Sequence, residues 1–241
     1  MQNYNKVGIK FNGRHSTDFG LILLKGKEIG FPEKNKIEVR VPFSNAVIDL
    51  SNIYGSQTFG ERSIKHVFLI RDFKNKDAES MYRLWTKVVN WLTQPTTKQP
   101  MYDDIMHKYY YLAEVVKAPS LEDMVSTGKL TVEWTCYPFR IYELFEGHDI
   151  WDDFDFEFDI AQEIEYEING SRNIQLFNVG SNVAIPEIIT DNALSITIKN
   201  QTINLVSGST KLSRIRLLPG VNDLNVTGTG SIKFNFHKEL I

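Results

Sequence analysis

Cysteine is almost missing: Cys136 is the single one in 241 residues. No intrachain disulfide can form, so packing must hold the fold, as suits folding in a reducing cytoplasm. Long apolar runs are missing too. Those such as Leu21 to Leu24 fall far short of the ~20 residues that cross a bilayer. The opening MQNYNKVGIKFNGRH lacks the apolar core and cleavage pattern of a signal peptide. A strong excess of one charge is also absent. The formal net charge of −3 gives no global pull toward nucleic acid or an anionic membrane. Walker, G-x-G-x-x-G, G-x-S-x-G and H-E-x-x-H patterns do not occur, which removes the usual sequence grounds for nucleotide, acyl-transfer or zinc chemistry. The expectation is a soluble protein with no cofactor, no metal, no nucleic acid recognition and no membrane contact.

Aromatics and alternation are plentiful. Fifteen Phe and ten Tyr lean the composition toward strands. Residues 6–11 and 36–43 alternate, and in the second Ile37, Val39, Val41 and Phe43 share a face opposite Lys36, Glu38 and Arg40. Residues 46–50 are expected to pair with it through a turn at Ser44 and Asn45. Further strands are expected at 58–70, 108–116 and 129–137, the last with Leu130, Val132, Trp134 and Cys136 on one apolar face. One amphipathic helix is expected over 77–92, where Met81, Leu84, Trp85, Val88, Val89 and Leu92 form a stripe. Asn75 is its expected N-cap, and Asp77 and Glu79 suit its first turn.

Beyond residue 150 the helical period disappears. Short strands are expected at 150–160, 163–168, 173–177, 184–189, 193–199, 202–206, 212–218, 222–227 and 230–237. Turn signals such as Asn169-Gly170 and Gly228-Thr229-Gly230 separate them, as in an antiparallel sandwich. The change divides the chain into domains 1–142 and 143–241.

Charge is unevenly placed. No Lys or Arg lies between Arg140 and Arg172, where eleven acids leave the remainder of the chain at +8. As a strand, WDDFDFEFDI would put Asp153, Asp155, Glu157 and Asp159 on one face. A solvated sheet face is the plainest reading. Docking onto a basic surface or calcium binding are the alternatives, with Arg214 and Arg216 able to pair across the sheet. No EF-hand loop supports calcium. A catalytic carboxylate pair lacks the selective desolvation such a pair needs. Trp151 and Tyr166 are candidate saccharide contacts, although core packing is the default for aromatics, Tyr109 to Tyr111 included. Cys136 reads as a core thiol, and His15, His66, His107, His148 and His237 as surface or hydrogen-bonded residues.

Motif order carries a resemblance. The segment Phe11 to Gly20 reads FNGRHSTDFG; Val41-Pro42-Phe43-Ser44-Asn45 and Asp49-Leu50-Ser51 follow. Then come Glu61-Arg62, Trp91-Leu92, Asp103-Asp104, the V-x-W-x-C-x-P-F run of Val132 to Phe139, and LLPGVNDLNVTGTGSIKFNF. In this order they resemble the distal tail (Dit) proteins of siphophages infecting Gram-positive hosts, closest to the lactococcal-phage type, over nearly the whole chain.

The resemblance implies a mainly β protein. An N-terminal, tail-tube-like β-sandwich with one helix would precede a C-terminal galectin-like antiparallel β-sandwich. It implies a structural virion protein, not an enzyme, made in the host bacterial cytoplasm and placed at the phage tail tip. Six copies would form a ring, single or stacked in two, joining the tail tube to baseplate, tail-associated and receptor-binding proteins for host attachment. The alternative function is a carbohydrate-binding module reading host cell-wall saccharide, with a cell-wall glycosidase behind it. Segment 36–66 is the expected hairpin reaching to a neighbouring copy.

Overall fold

Alternating burial organises most of the chain into antiparallel strands. The computed structural model describes residues 7–241 except 54, 72–76, 118, 125–126, 149, 151–153 and 200. Two compact units emerge, Met1–Arg140 with Ile241, and Ile141–Leu240. The first contains β1 (Ile9–Phe11), β2 (Arg14–His15), β3 (Ile22–Leu23), β4 (Glu28–Ile29), β5 (Glu38–Arg40), β6 (Val47–Asp49) and β7 (Arg62–Arg71). Helix α1 (Ala78–Thr93) follows, then β8 (Gln99–Asp103), β9 (Tyr109–Glu114), β10 (Ser120–Met124) and β11 (Thr127–Cys136). Next come β12 (Arg140–Phe145), β13 (Glu165–Asn178), β14 (Glu187–Thr190), β15 (Leu194–Ile198) and β16 (Gln201–Leu205). The last are β17 (Gly208–Lys211), β18 (Gly220–Asn235) and β19 (His237–Leu240). The mainly β class with one amphipathic helix is as expected.

In the first unit, strands run in the order β2-β1-β8-β9-β11-β7-β3, with β10 added to β11 and β4 to β7. β11 and β7 pair along their full length, from Thr127↔Arg71 to Cys136↔Arg62. The expected apolar face of β11 is real: Leu130, Val132, Trp134 and Cys136 are all buried. Met81, Val88, Trp91 and Leu92 of α1 join the same core. Trp91 stacks on Phe19 at 4.8 Å and donates its indole N–H to the Phe11 carbonyl at 2.9 Å. Asp77, not Asn75, caps the helix by accepting from the Ser80 N–H at 2.8 Å; Asn75 lies outside the described residues.

In the second unit, glycine makes the corner. β13 and β18 pair continuously from Glu165↔Lys233 to Asn178↔Gly220. The early part of β18 also pairs with β15 as far as Gly228, and its late part with β14 from Ile232 onward. One long ribbon therefore serves two sheets, β16-β15-β18-β13 and β17-β14-β18-β13. Their inner residues, among them Leu176, Ile188, Ile196, Val226 and Phe234, merge into one core, the arrangement of a sandwich. Between the two pairings, Gly228 and Gly230 have φ of 128° and 149°, and Gly170, opposite Gly228, has 87°.

The expected turns at Asn169-Gly170 and Gly228-Thr229-Gly230 are thus bends inside unbroken strands. The expected strand 212–218 is also corrected. It holds a turn and one bridge, Ala184↔Leu217, while β17 forms just before it. Arg214 therefore shares no strand face with Arg216, because the chain is not extended there. At Gly230 a Cβ would lie 2.3 Å from Asp191 Oδ1, which accepts from the Ser231 N–H at 2.7 Å. Gly230→Ala is expected to lower stability by about 1–3 kcal/mol, measured by chemical denaturation.

Candidate interaction surfaces

The hairpin β5–β6 stands apart from both large sheets as a separate two-stranded ribbon. Its register is Glu38↔Asp49, Val39↔Ile48 and Arg40↔Val47. The base is fastened by polar groups. Lys36 donates to Asp49 at 2.5 Å, and Ser51 Oγ accepts from the Ile37 N–H at 2.8 Å. Hydrogen bonds from Lys36 and Ser51 hold the Asp49 carboxyl well below the usual carboxylate range. At the tip, Ser44 N–H donates to the Val41 carbonyl at 3.2 Å.

The apolar face read from the sequence exists, but it faces solvent. Val39 is 48% and Ile48 50% exposed, and Ile37 is similarly open; Val47, also open, pairs with Arg40 on the other face. Phe43, at the tip, is fully exposed and has φ of 58°. A bulky side chain in the left-handed region is an outlier. An isolated two-stranded hairpin is marginal in water, and this one offers a contiguous apolar strip to whatever covers it.

The acidic segment behaves otherwise than expected. Asp153 lies outside the described residues. Asp155, Glu157 and Asp159 do not line one strand face, because residues 156–158 form a turn. The Asp159 N–H donates to the Asp155 carbonyl at 2.8 Å, and Asp159 Oδ2 accepts from the Asp155 N–H at 2.8 Å. Asp159 is drawn inward to an ion pair with Lys238, while Glu157 stays exposed. Lys238 is fully buried, donates also to the Phe158 carbonyl at 3.1 Å, and sits 4.3 Å from the Tyr142 ring centre. This buried cation is the feature sequence reasoning missed. Its partner is 79 positions away, and nothing local in HKEL marks it.

Glu146 lies beside this pair and is 4% exposed. Burial raises its carboxyl to about 7; the Lys238 charge opposes that rise and the Asp159 charge adds to it. A raised acid keeps its proton in the fold while the unfolded chain, with a value near 4.5, releases it. Stability should therefore fall as pH rises from about 4.5 to about 7, by roughly 3 kcal/mol at most. Glu146→Gln is expected to remove that slope, matching the parent near pH 4 and exceeding it at pH 8 in urea unfolding.

The remaining residues singled out by sequence are placed plainly. Trp151 lies outside the described residues. Tyr166 is 7% exposed, packs on Phe234, and donates its hydroxyl to the Glu163 carbonyl, with Arg172 over its ring. It therefore presents no open stacking face. Tyr111 is core, and Cys136 is a core thiol pushed by burial up to about 12. His15 bonds Thr17 and Asp104, and His237 Nδ1 meets the Tyr142 carbonyl at 2.9 Å. His66 is buried against Asp103 at 3.4 Å, and Asp103 also pairs with Lys27. Burial pushes His66 downward, against the pull of Asp103. Burial disfavours the Asp103 carboxylate, but bonds from His66, Lys27 and the Ile105 N–H outweigh it and hold the group at about 2. The His66–Asp103 pair is thus enclosed, with both residues buried. Among the described residues no three His, Cys, Asp or Glu side chains gather to hold a metal ion, and no helix is long and apolar enough to cross a membrane.

The architecture is similar to that of a solved phage protein. One crystal structure sharing it is that of SPP1 Dit (gp 19.1), described as a paradigm of the hub adsorption apparatus in Gram-positive infecting phages. The two superpose with a TM-score of 0.68 at 12% sequence identity, over 98% of this chain and 99% of that one. No family model matches the sequence, and no curated protein matches it.

Proposed function

We propose that the chain is a structural distal tail (Dit) subunit of a siphophage tail tip. Six copies close into a ring that joins the tail tube to the baseplate, tail-associated and receptor-binding proteins used for host attachment. The observation that carries this reading is the end-to-end likeness of fold to SPP1 Dit. The hairpin adds a physical reason for assembly. A ring needs a heterologous contact repeated around an axis, and the open strip around Val39, Ile48 and Phe43 suits burial against a neighbouring copy. Within Dit proteins, the motif run from Phe11 to Phe236 sides with the lactococcal-phage type. Electron microscopy of the purified chain, alone and co-expressed with its tail neighbours, tests the proposal. Sixfold rings, single or stacked, are the expected result; isolated particles under both conditions would overturn it.

A further inference from the structure

The outer face of the sheet β16-β15-β18-β13 is built almost without charge. Residues paired across it form rows. Asn204, Ser195, Thr227 and Ser171 make one row, and Thr202, Thr197, Asn225 and Asn173 the next. Neither row holds a charged residue, in a chain where 24% of residues are charged. A face shaped only for solubility normally mixes Lys, Arg, Asp and Glu. The alternate positions of the same strands, such as Ile174, Ile196 and Val226, are buried, so the pleat fixes the orientation of the polar set.

The rows are also ordered from within. Ser195 Oγ donates to Asn204 Oδ1 at 2.9 Å, and Thr197 and Thr202 hydroxyls meet at 2.9 Å. Asn225 Nδ2 donates to Asn173 Oδ1 at 2.7 Å and to Ser171 Oγ at 3.1 Å. Gln175 donates to Asp223 at 3.0 Å in a third row. A groove of about 600 Å3 opens here, bounded by Asn173, Gln175, Thr197, Lys199, Asp223 and Asn225. That volume lies within the range of small-ligand sites, roughly 300–1,000 Å3. Its two charges, Lys199 and Asp223, are of opposite sign.

From this arrangement we infer that the groove on this sheet face is a binding site for a neutral, hydroxyl-rich glycan. Each sugar hydroxyl both donates and accepts, as do the amides and hydroxyls lining the groove. Cross-strand bonds hold these side chains in place before a ligand arrives, which lowers the ordering cost of binding. Neutral groups also lose less on desolvation than ions would. No aromatic ring among the described residues lines the groove, so it lacks from them the stacking that strengthens many sugar sites, and affinity for a single short glycan is modest. Two singly charged groups of opposite sign offer an anionic glycan no net attraction.

The test is calorimetry and saturation-transfer NMR on the full chain with maltohexaose, cellohexaose, galactohexaose and fully N-acetylated chitohexaose, and an oligogalacturonate as anionic probe. At least one neutral hexasaccharide is expected to bind. Asn173→Ala and Asn225→Ala should each weaken it by about tenfold, while Ser209→Ala on β17 leaves it unchanged. The near-isosteric Thr197→Val keeps the test valid if an alanine variant unfolds, and it should weaken binding in the same direction. Absence of binding by all four neutral probes, binding of the anionic probe alone, or binding indifferent to the three groove variants would each overturn the inference.

Discussion

Lys238→Met is expected to destabilise the second unit by about 3–5 kcal/mol, the usual loss when one member of a buried ion pair is removed. Methionine preserves the apolar stem and roughly the volume, so packing against Tyr142 changes little. What is lost is the ammonium that meets Asp159 and the Phe158 carbonyl. Asp159 would remain inside without its counter-charge, next to Glu146. Glu146 would also lose the neighbour that restrains its upward shift. The double change Lys238→Met with Asp159→Asn should recover much of the loss, because a neutral amide costs less to bury than a carboxylate. Urea unfolding at pH 7 measures all three proteins. A single-variant loss below about 1 kcal/mol would mean the pair is solvated and holds nothing in place.

Phe43→Ser is expected to leave the single chain as stable as before, within about 0.5 kcal/mol, since an exposed side chain contributes little to folding. The same change should abolish ring assembly. Phe43 sits at the tip of the hairpin, open on all sides, on a backbone that few residues tolerate. Buried aromatic anchors carry about 2 kcal/mol or more each at interfaces, and a closed ring repeats the contact in every copy. Sedimentation velocity separates the outcomes: a folded monomer supports the assignment of the hairpin, and an undiminished assembly removes it. Val39→Asp, on the face paired with Ile48, should act in the same direction.

Where side-chain periodicity alone decides structure, the sequence was legible. The buried face of β11, the stripe of α1 and the pairing of β5 with β6 all follow from alternation or helical spacing. Glycine was ambiguous. Gly170, Gly228 and Gly230 all have positive φ, a property shared by tight turns and by bends within strands. Only the partner strand, which continues through the bend from Ile168↔Gly230 to Arg172↔Val226, decides between them. The acidic segment misled for another reason. Its alternation of Asp and Phe mimics a strand, yet Lys238 from the end of the chain pulls Asp159 inward and leaves a turn before it. Asp77 displaced Asn75 as the helix cap because its carboxylate reaches both the Ser80 N–H and hydroxyl. The polar rows of the outer sheet face became visible only with the register, which brings residues from four strands side by side.

Native mass measurement of the untagged full chain at micromolar concentration tests the central claim most directly. The account predicts a dominant species of six times 27.8 kDa, or twice that for stacked rings, reduced to single chains by Phe43→Ser. A population of single 27.8 kDa chains across the whole concentration range, with no ring formed on co-expression with its tail neighbours either, would contradict it.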